Sequence, residues 1–210
     1  RLTLIPGVRF DYQRLSGADS VGRLTGAAVP EDKTDTAFSP KIAALYEFTD
    51  AFSVFGSYAH TQRLPSIDEI YSNDYGVGRT PNYSLGLRKE KSNNYELGFV
   101  VSATDLIQSG DSFDFKTTGF YNKIDDLIVR QRNMYPQYVN VGRAEIYGVE
   151  FEAGYESNNF FADAGLGITV GTDLTNNTAL TEVAPAELNI GAGYRLPDRG
   201  LSFGWEGRFV

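Results

Sequence analysis

The chain has 210 residues, a formal net charge of −8 at pH 7 and no cysteine. The acidic balance argues against a nucleic-acid partner, and the lack of cysteine excludes disulfides and thiolate metal sites. The mean hydropathy of −0.29 is typical of a soluble protein, but a membrane β-barrel has a similarly low value because only every second residue faces lipid.

The first predicted element is a β-strand that begins at Leu2. Leu2, Leu4, Val8 and Phe10 share one face, opposite polar residues such as Arg9, and this period of two is typical of a strand. Because the chain opens directly with a strand, no signal peptide is expected, and the sequence is interpreted as a mature chain or a fragment.

The same alternation recurs in about eight further segments of roughly ten residues. Long polar connections alternate with short turns, such as those at residues 49–51 and 156–158. No segment requires a helix, and no apolar run approaches the roughly 18 residues of a transmembrane helix. The pattern predicts an all-β, antiparallel, up-and-down arrangement of about nine strands. The later strands start near Phe38, Phe52, Tyr95, Phe113, Tyr147, Phe160, Ala186 and Leu201.

Aromatic residues mark both ends of the predicted strands, and the residues between them on the same face are mostly Val, Leu, Ile, Ala and Gly. Aromatic belts around an aliphatic band are typical of bilayer interfaces, so a transmembrane β-barrel is favoured over a soluble extracellular β-domain. The group near the long connections is Phe10, Tyr12, Phe38, Tyr58, Tyr95, Tyr121 and Tyr147. The group near the short turns is Tyr46, Phe48, Phe52, Phe113, Tyr155, Phe160 and Tyr194.

The odd number of strands has a consequence for a membrane barrel. A bacterial barrel closes with an even number of strands, and lipid does not tolerate an unpaired strand edge. Residues 1–210 are therefore expected to form part of one incomplete transmembrane barrel domain, with further strands before Arg1 and after Val210. Because polar residues line so many strands, a wide barrel is favoured.

The longest connection without helical or strand period lies between Arg63 and Lys91. It follows an outward-running strand, on the side where all the long connections lie, so it is expected to face the external medium. Long ordered loops are often functional, and this loop is the main candidate for ligand binding.

Several sequence motifs extend over nearly the whole chain. PGVRFDY, FSPKIAALYEF, FYNKIDDLIV, VNVGRAEIYGVE and GVEFEAGY lie in or beside predicted strands. QRLP at residues 62–65 and PNYSLGLRKEKSNNYELG at residues 81–98 flank the long loop. In this order the motifs resemble the C-terminal barrel portion of TonB-dependent outer-membrane receptors of the haem and siderophore type, in which two such boxes surround a large extracellular loop.

The resemblance implies a transport function in the bacterial outer membrane. Such receptors form a barrel of roughly 22 strands, hold an N-terminal plug domain and use the inner-membrane proton gradient through TonB. The implied cargo is an iron chelate, either haem or a ferric siderophore, with no intrinsic cofactor; cobalamin and zinc receptors share the architecture. The implied partners are outer-membrane lipid and lipopolysaccharide, the TonB complex, and the iron chelate or a haem-carrying protein. The plug and the terminal strands are expected to lie outside residues 1–210.

Tyrosine and arginine side chains of the loops are the candidates for ligand contact. A tyrosine can hold haem iron, and an arginine can bind a haem propionate or an anionic siderophore; a solvated or lipopolysaccharide-facing loop is the alternative for the arginines. Arg63, Pro65 and Glu69 are expected to brace the base of the loop, with Arg63 and Glu69 as an ion pair. The ligand candidates are Tyr71, Tyr75, Arg79, Tyr83, Arg88, Arg130 and Arg132.

His60, the only histidine, is a further candidate for ligation of haem iron. It shares a strand face with Tyr58, which favours an interfacial position at the outer rim, and no histidine lies between the two boxes. If haem is the ligand, the loop tyrosines or the plug would hold the iron. No metal site of the chain itself is predicted.

Catalysis is not expected. The sequence has no Gly-x-Ser-x-Gly elbow around a serine and no glycine loop that would bind phosphate. The alternatives to a receptor are a passive porin or adhesin-like barrel without energy coupling, and the soluble extracellular β-domain.

Overall fold

A computed structural model describes residues 1–16, 32–71, 84–130, 138–180 and 183–210. Its regular structure is almost entirely strand. The elements are, in chain order, β1 (Leu2–Leu15), β2 (Lys33–Thr49), β3 (Phe52–Arg63), α1 (Ile67–Tyr71), β4 (Glu90–Thr104), β5 (Ser112–Asp125), β6 (Ile128–Arg130), β7 (Tyr138–Asn140), β8 (Arg143–Glu156), β9 (Phe160–Asp173), β10 (Thr178–Ala179), β11 (Glu187–Leu196), a 3-10 helix (Pro197–Arg199) and β12 (Leu201–Phe209).

Nine long strands pair antiparallel in the order β1-β2-β3-β4-β5-β8-β9-β11-β12. Each long strand is the sheet neighbour of the long strand before it in the chain, which confirms the predicted up-and-down arrangement. The two-residue strand β10 pairs with β9, and β6 and β7 form a separate hairpin. Within the described ranges β1 and β12 each have one strand neighbour, as expected for the wall of an incomplete barrel.

The register places the predicted apolar residues on one continuous face, here called the outer face. Phe10 of β1 lies opposite Phe38 of β2, and Leu97 of β4 lies opposite Gly56 of β3. The face is uncovered, with Val8 67% and Leu97 66% exposed. Soluble monomers rarely expose apolar patches larger than a few hundred Å². An apolar face that extends across the whole sheet therefore indicates contact with lipid, and it excludes the soluble β-domain.

Four tyrosines form a row across the outer face near the long loops. Tyr58, Tyr95, Tyr121 and Tyr147 occupy directly opposed positions on β3, β4, β5 and β8. The ring centroids of Tyr58 and Tyr95 lie 5.1 Å apart, and those of Tyr95 and Tyr121 lie 6.4 Å apart. This tyrosine row occupies the place predicted for the aromatic belt on the long-loop side, where a bilayer meets water.

Phenylalanines extend the opposite aromatic group further into the apolar band than the sequence predicts. Ring centroids are 6.1 Å apart for Phe52 and Phe99, 6.0 Å for Phe99 and Phe115, and 6.4 Å for Phe115 and Phe151. These residues occupy diagonal positions on neighbouring strands, a spacing that aromatic side chains can bridge. Alternation alone does not reveal such contacts, because it assigns each residue to a face of the sheet but does not give its position along the barrel axis.

Three short elements differ from the sequence prediction. Helix α1 lies within the segment that was expected to lack regular structure between Arg63 and Lys91, so the expectation of a chain without helix is wrong there. The 3-10 helix lies in the short connection between the predicted strands that start near Ala186 and Leu201, where no helix was expected. The hairpin β6–β7 lies in what was predicted as a polar connection. None of the helices in the described residues is long and apolar enough to cross a bilayer.

The opposite face of the sheet carries most of the charged side chains and is here called the inner face. Lys116 of β5 and Glu152 of β8 form an ion pair of 2.9 Å, and Arg208 of β12 pairs with Glu187 of β11 at 2.6 Å. Such cross-strand pairs let a polar wall satisfy its own charges. This face is therefore the one that lines the interior of the barrel.

The short turn between β4 and β5 is organised by one buried carboxylate. Asp111 is 2% exposed and accepts hydrogen bonds from the N–H groups of Leu106 (2.7 Å), Ile107 (2.8 Å) and Gln108 (2.9 Å). The Tyr155 hydroxyl donates a further bond of 2.8 Å. Burial of this carboxyl would raise its pKa, but these four donors outweigh burial and lower the pKa of Asp111 to about 2.

We expect Asp111→Asn to loosen this turn. A lowered pKa means that the charged carboxylate stabilises the folded turn above the pKa of an unfolded aspartate, about 3.9, and that this stabilisation is lost as the pH falls through the folded pKa. At neutral pH the amides of residues 106–108 should exchange hydrogen faster in the variant than in wild type. Asp50→Asn in the turn between β2 and β3 is the matched control. Equal exchange in wild type and Asp111→Asn would contradict the assignment.

Candidate ligand-binding region at the base of the long loop

A capping box starts helix α1 immediately after β3. The Ser66 hydroxyl accepts a hydrogen bond from the Glu69 N–H (3.2 Å), and the Glu69 carboxylate accepts one from the Ser66 N–H (2.8 Å). A serine with a glutamate three residues later satisfies two backbone donors at a helix start in this way. Pro65, which comes just before, is buried. The sequence from Pro65 to Glu69 therefore turns the chain out of the wall and into a short helix.

Arg63, the last residue of β3, joins this helix to the start of β4. Its guanidinium donates to the two carboxylate oxygens of Glu69 at 2.9 and 3.0 Å. It also donates to both oxygens of Glu90, through Nε and, at 2.7 Å, through Nη2. The side chains of Glu69 and Glu90 are only 15% and 12% exposed. Burial opposes ionisation of Glu69, but the Arg63 guanidinium and the Ser66 N–H lower the pKa of this carboxyl below its usual value.

Glu90 extends the connection to the hairpin β6–β7. Its Oε1 accepts a hydrogen bond of 2.7 Å from the N–H of Ile128. The side chains of Ile128, Ile70 and Leu87 form a small buried core. Leu15, Tyr71 and Tyr138 pack against that core. The ion pairs of Arg63 with Glu69 and Glu90, together with this core, are called the loop base below.

Two lysines attach the loop base to β2. Lys33 Nζ donates to the carbonyl of Leu87, and Lys89 Nζ donates to the carbonyl of Thr36 at 2.7 Å. Lys89 Nζ also lies 3.6 Å from a carboxylate oxygen of Asp35. Because one bond runs from a β2 side chain to the Leu87 backbone and the other from Lys89 to the β2 backbone, both lysines have a positioning role.

Arg88, a predicted ligand contact, is held between the two ends of the hairpin β6–β7. Its Nε donates to Asp126 Oδ1 at 3.0 Å. Its backbone N–H donates to Asn140 Oδ1 (2.8 Å), and Asn140 Nδ2 donates to the carbonyls of Arg88 (2.9 Å) and Asp126 (2.6 Å). Asp126 has a φ of 60°, a left-handed conformation that aspartate tolerates better than most residues. The Arg88 side chain thus already has a carboxylate partner in this structure.

The other predicted ligand contacts lie around the loop base or outside the described residues. Tyr71 is the last residue of α1 and packs against the buried core, and Arg130 is exposed at the end of β6. The segments that the structure does not describe contain Tyr75, Arg79, Tyr83 and Arg132. The first three fall between Tyr71 and Ser84, whose N–H donates to the Ile70 carbonyl at 2.8 Å. The two ends of that segment therefore meet at the loop base.

An open cleft adjoins the loop base at the outward ends of β1, β2 and β3. Its volume is about 510 Å³, and its wall includes Arg9, Asp11 and Gln13 of β1 and Thr61 and Arg63 of β3. This volume falls within the range of small-molecule sites. The polar wall suits a charged or hydrogen-bonding group better than a purely apolar one.

His60 lies on the outer face, directly opposite Asn93 of β4. Its Nδ1–H donates to Asn93 Oδ1 at 3.1 Å, and its Nε2 accepts from the Gln62 side-chain amide at 3.3 Å. The Tyr58 hydroxyl donates to the same Asn93 oxygen at 3.0 Å. Both ring nitrogens thus have partners on the lipid-facing side, away from the loop base. Within the described ranges no group of three or more metal-ligating side chains is present either.

Sequence reasoning missed Glu90, Asp126 and Asn140 at this site. Glu90 accepts hydrogen bonds from Arg63 across two strands that are neighbours in space but distant in sequence. Asn140, on β7, likewise bonds to the distant Arg88. Ser66 and Glu69 form a capping box that could have been recognised from their spacing. It would have predicted the start of α1.

Comparison with known proteins identifies the family to which the barrel wall belongs. The family model described as "TonB dependent receptor-like, beta-barrel" matches residues 1–210. The TonB-dependent heme receptor A of Haemophilus influenzae (strain ATCC 51907 / DSM 11121 / KW20 / Rd) is 26% identical over 233 residues, which cover 97% of this chain and 31% of the relative. The chain thus spans about a third of the length of the curated relatives it matches.

Two solved structures show the same fold. The copper transporter OprC superposes with a TM-score of 0.75 at 24% identity, over 92% of this chain and 29% of the transporter. The hemophore receptor HasR of Serratia marcescens, solved as a double mutant with its hemophore HasA and heme, has a TM-score of 0.71 at 21% identity, over 98% of this chain and 39% of the receptor. With the family match over its whole length, the chain belongs to the TonB-dependent receptor family, as part of the β-barrel.

Proposed function

We propose that the full-length protein is an outer-membrane receptor that takes up haem or another iron chelate by TonB-coupled active transport. The observation that carries the proposal is the similarity of nearly the whole chain to TonB-dependent heme receptor A, at 26% identity. A hemin receptor of Yersinia pestis is 28% identical over 77% of the chain, which supports the same substrate class. Members of this receptor family are transporters and not enzymes, in agreement with the sequence prediction.

The proposal includes partners that lie outside these residues. In the receptor we expect an N-terminal plug inside the barrel, contact of that plug with the TonB complex, and further strands that pair with β1 and β12. The solved complex of HasR with HasA and heme supports a haem-carrying protein as an external partner. A passive porin or adhesin-like barrel is disfavoured, because the family match is to receptors coupled to TonB.

The loop base suggests how the chain would contribute to ligand binding. It fixes both ends of the segment between Tyr71 and Ser84, so the stretch of sequence that contains Tyr75, Arg79 and Tyr83 begins and ends at the loop base. We propose Tyr71, Tyr75 and Tyr83 as candidates for contact with haem iron, and Arg79, Arg130 and Arg132 as candidates for its propionates.

Arg88 is not retained among the candidates for ligand contact. Its guanidinium would first have to leave the Asp126 carboxylate, which accepts its Nε hydrogen bond at 3.0 Å. We therefore propose that Arg88 supports the hairpin β6–β7 and that Arg63, Pro65 and Glu69 support the loop, while other arginines face the ligand.

Titration of the purified full-length receptor with haem and with ferric siderophores tests the substrate. We expect saturable haem binding with a shifted Soret band. His60→Ala should change the dissociation constant by less than about twofold, because both ring nitrogens point to partners on the lipid side. The triple variant Tyr71→Phe, Tyr75→Phe and Tyr83→Phe should weaken haem binding by about 100-fold if a phenolate holds the iron.

Other outcomes of the titration would change the proposed substrate or the proposed iron ligand. Binding of a ferric siderophore without haem binding would assign the siderophore as substrate. Loss of the shifted Soret band in His60→Ala alone would contradict the placement of the histidine outside the site. Unchanged haem binding in the triple tyrosine variant would place the iron ligand elsewhere, in the plug.

A further inference from the structure

Two rows of polar side chains lie above the tyrosine row on the outer face, toward the loops. The strand register places them on β3, β4, β5 and β8, at successive positions with the same orientation as the tyrosines. The nearer row is His60, Asn93, Lys123 and Glu145, and the farther row is Gln62, Lys91, Asp125 and Arg143.

Three cations of these rows have no partner among the described residues. Lys91, Lys123 and Arg143 are exposed, and none of their side chains forms an ion pair or hydrogen bond within the described part of the chain. Neighbouring strands lie about 4.8 Å apart, so Lys91 on β4 and Arg143 on β8 are separated by about 10 Å, with Lys123 on the strand between them. Long lysine and arginine side chains can converge on one group over that distance.

The carboxylates of these rows compensate the three cations only in part. Glu145 accepts a hydrogen bond from the Tyr121 hydroxyl at 3.1 Å, which directs it toward the tyrosine row. Asp125 lies opposite both Lys91 and Arg143 in the register, but no ion pair with either of them is formed. The patch is therefore locally positive in a chain whose formal net charge is −8.

The position of the cations determines which anion can reach them. They point to the same side as the uncovered apolar band, immediately beyond a row of tyrosines, and tyrosine favours the level of lipid headgroups. A transported ligand would pass on the inner face, on the other side of the wall. The anionic headgroups of the outer leaflet therefore lie closest to the patch.

We propose that Lys91, Lys123 and Arg143 form a binding site for the phosphate groups of an anionic lipid in the outer leaflet. The hydrogen-bonded side chains of His60, Gln62 and Asn93 supply a polar surface beside it for the sugar or glycerol part of the headgroup. Cations at a membrane surface attract acidic lipid headgroups. The site depends on the membrane-spanning fold and not on the identity of the transported cargo.

The test uses the full-length receptor purified from outer membranes in mild detergent. Native mass spectrometry with added diphosphoryl lipid A should show a bound lipid in wild type. The variant Lys91→Gln, Lys123→Gln and Arg143→Gln should bind it about 100-fold more weakly. The matched control Lys41→Gln, Lys116→Gln and Arg199→Gln removes the same charge from the inner face and a short turn, and should bind as wild type does. Heat-modifiable gel mobility checks that each barrel is folded.

The arms of the experiment separate the lipid from a free anion. Millimolar inorganic phosphate should not displace the lipid, and lipid A without phosphate should bind poorly. Equal lipid binding by the triple variant and wild type would overturn the site. Equal binding of phosphate-free lipid would show that acyl chains, and not these cations, hold it, and displacement by inorganic phosphate would indicate a site for free anions. None of these measurements involves haem, so their failure is distinct from failure of the proposed transport function.

Discussion

Replacement of Arg63 with alanine is expected to open the loop base while leaving the barrel wall folded. The variant leaves the carboxylates of Glu69 and Glu90, both largely shielded from water, without their shared counter-charge. Removal of one partner from a buried ion pair costs about 3–5 kcal/mol and from an exposed pair at most about 1 kcal/mol. Because the Arg63 side chain is 45% exposed, we expect a local cost of about 2 kcal/mol, intermediate between these limits.

Hydrogen exchange at the loop base measures this opening. The Ile70 N–H, bonded to the Ser66 carbonyl, and the Ile128 N–H, bonded to Glu90, should exchange about 30-fold faster in Arg63→Ala. Glu69→Gln in the same chain keeps the capping box, which accepts glutamine at this position, and should recover part of the protection. Arg195→Ala, which breaks an exposed ion pair of 2.6 Å with Glu156, is the matched control. Unchanged protection in Arg63→Ala would refute the role of the ion pairs.

Replacement of residues 72–83 by a short Gly-Ser linker is expected to abolish ligand binding without destabilising the wall. The ends of this segment meet where the Ser84 N–H donates to the Ile70 carbonyl, so a linker of about four residues suffices to close it. The change removes Tyr75, Arg79 and Tyr83 and retains Arg63, Glu69 and Glu90. We expect haem affinity to fall by at least about 100-fold, the size of the loss when several strong contacts of one site are removed together.

The matched control for this replacement is the same linker in place of residues 17–31, between the paired strands β1 and β2. That segment contains none of the proposed ligand contacts, so haem affinity should be retained. Thermal unfolding of both variants, followed by gel mobility, should match wild type. Retention of full haem affinity without residues 72–83 would show that the ligand contacts lie elsewhere in the receptor.

The strands could be predicted from the sequence because one physical constraint acts on every residue of the wall. Lipid on one side and water on the other require apolar and polar residues to alternate. Leu97 can therefore be assigned to the outer face and Glu96 to the inner face without knowledge of the partner strand. Register then follows, since a slip by one residue would turn Leu97 inward. The placement of His60 follows from the same parity, because it shares a face with Tyr58.

The loop base could not be predicted in the same way, because its elements are too short to show a period. Helix α1 has five residues and β6 three, fewer than periodicity requires. Its contacts also join residues far apart in sequence. Arg88 is an example: its charge suggested a ligand contact, but the sequence did not reveal that Asp126, from a different loop, binds its guanidinium.

The proposed energy coupling is tested most directly by uptake of radiolabelled haem iron into cells that express the full-length receptor, with and without a functional TonB. We predict saturable uptake that stops when TonB is absent, while haem still binds at the cell surface. Uptake that continues at the same rate without TonB, and rises linearly with haem concentration, would contradict active transport and indicate a passive pore.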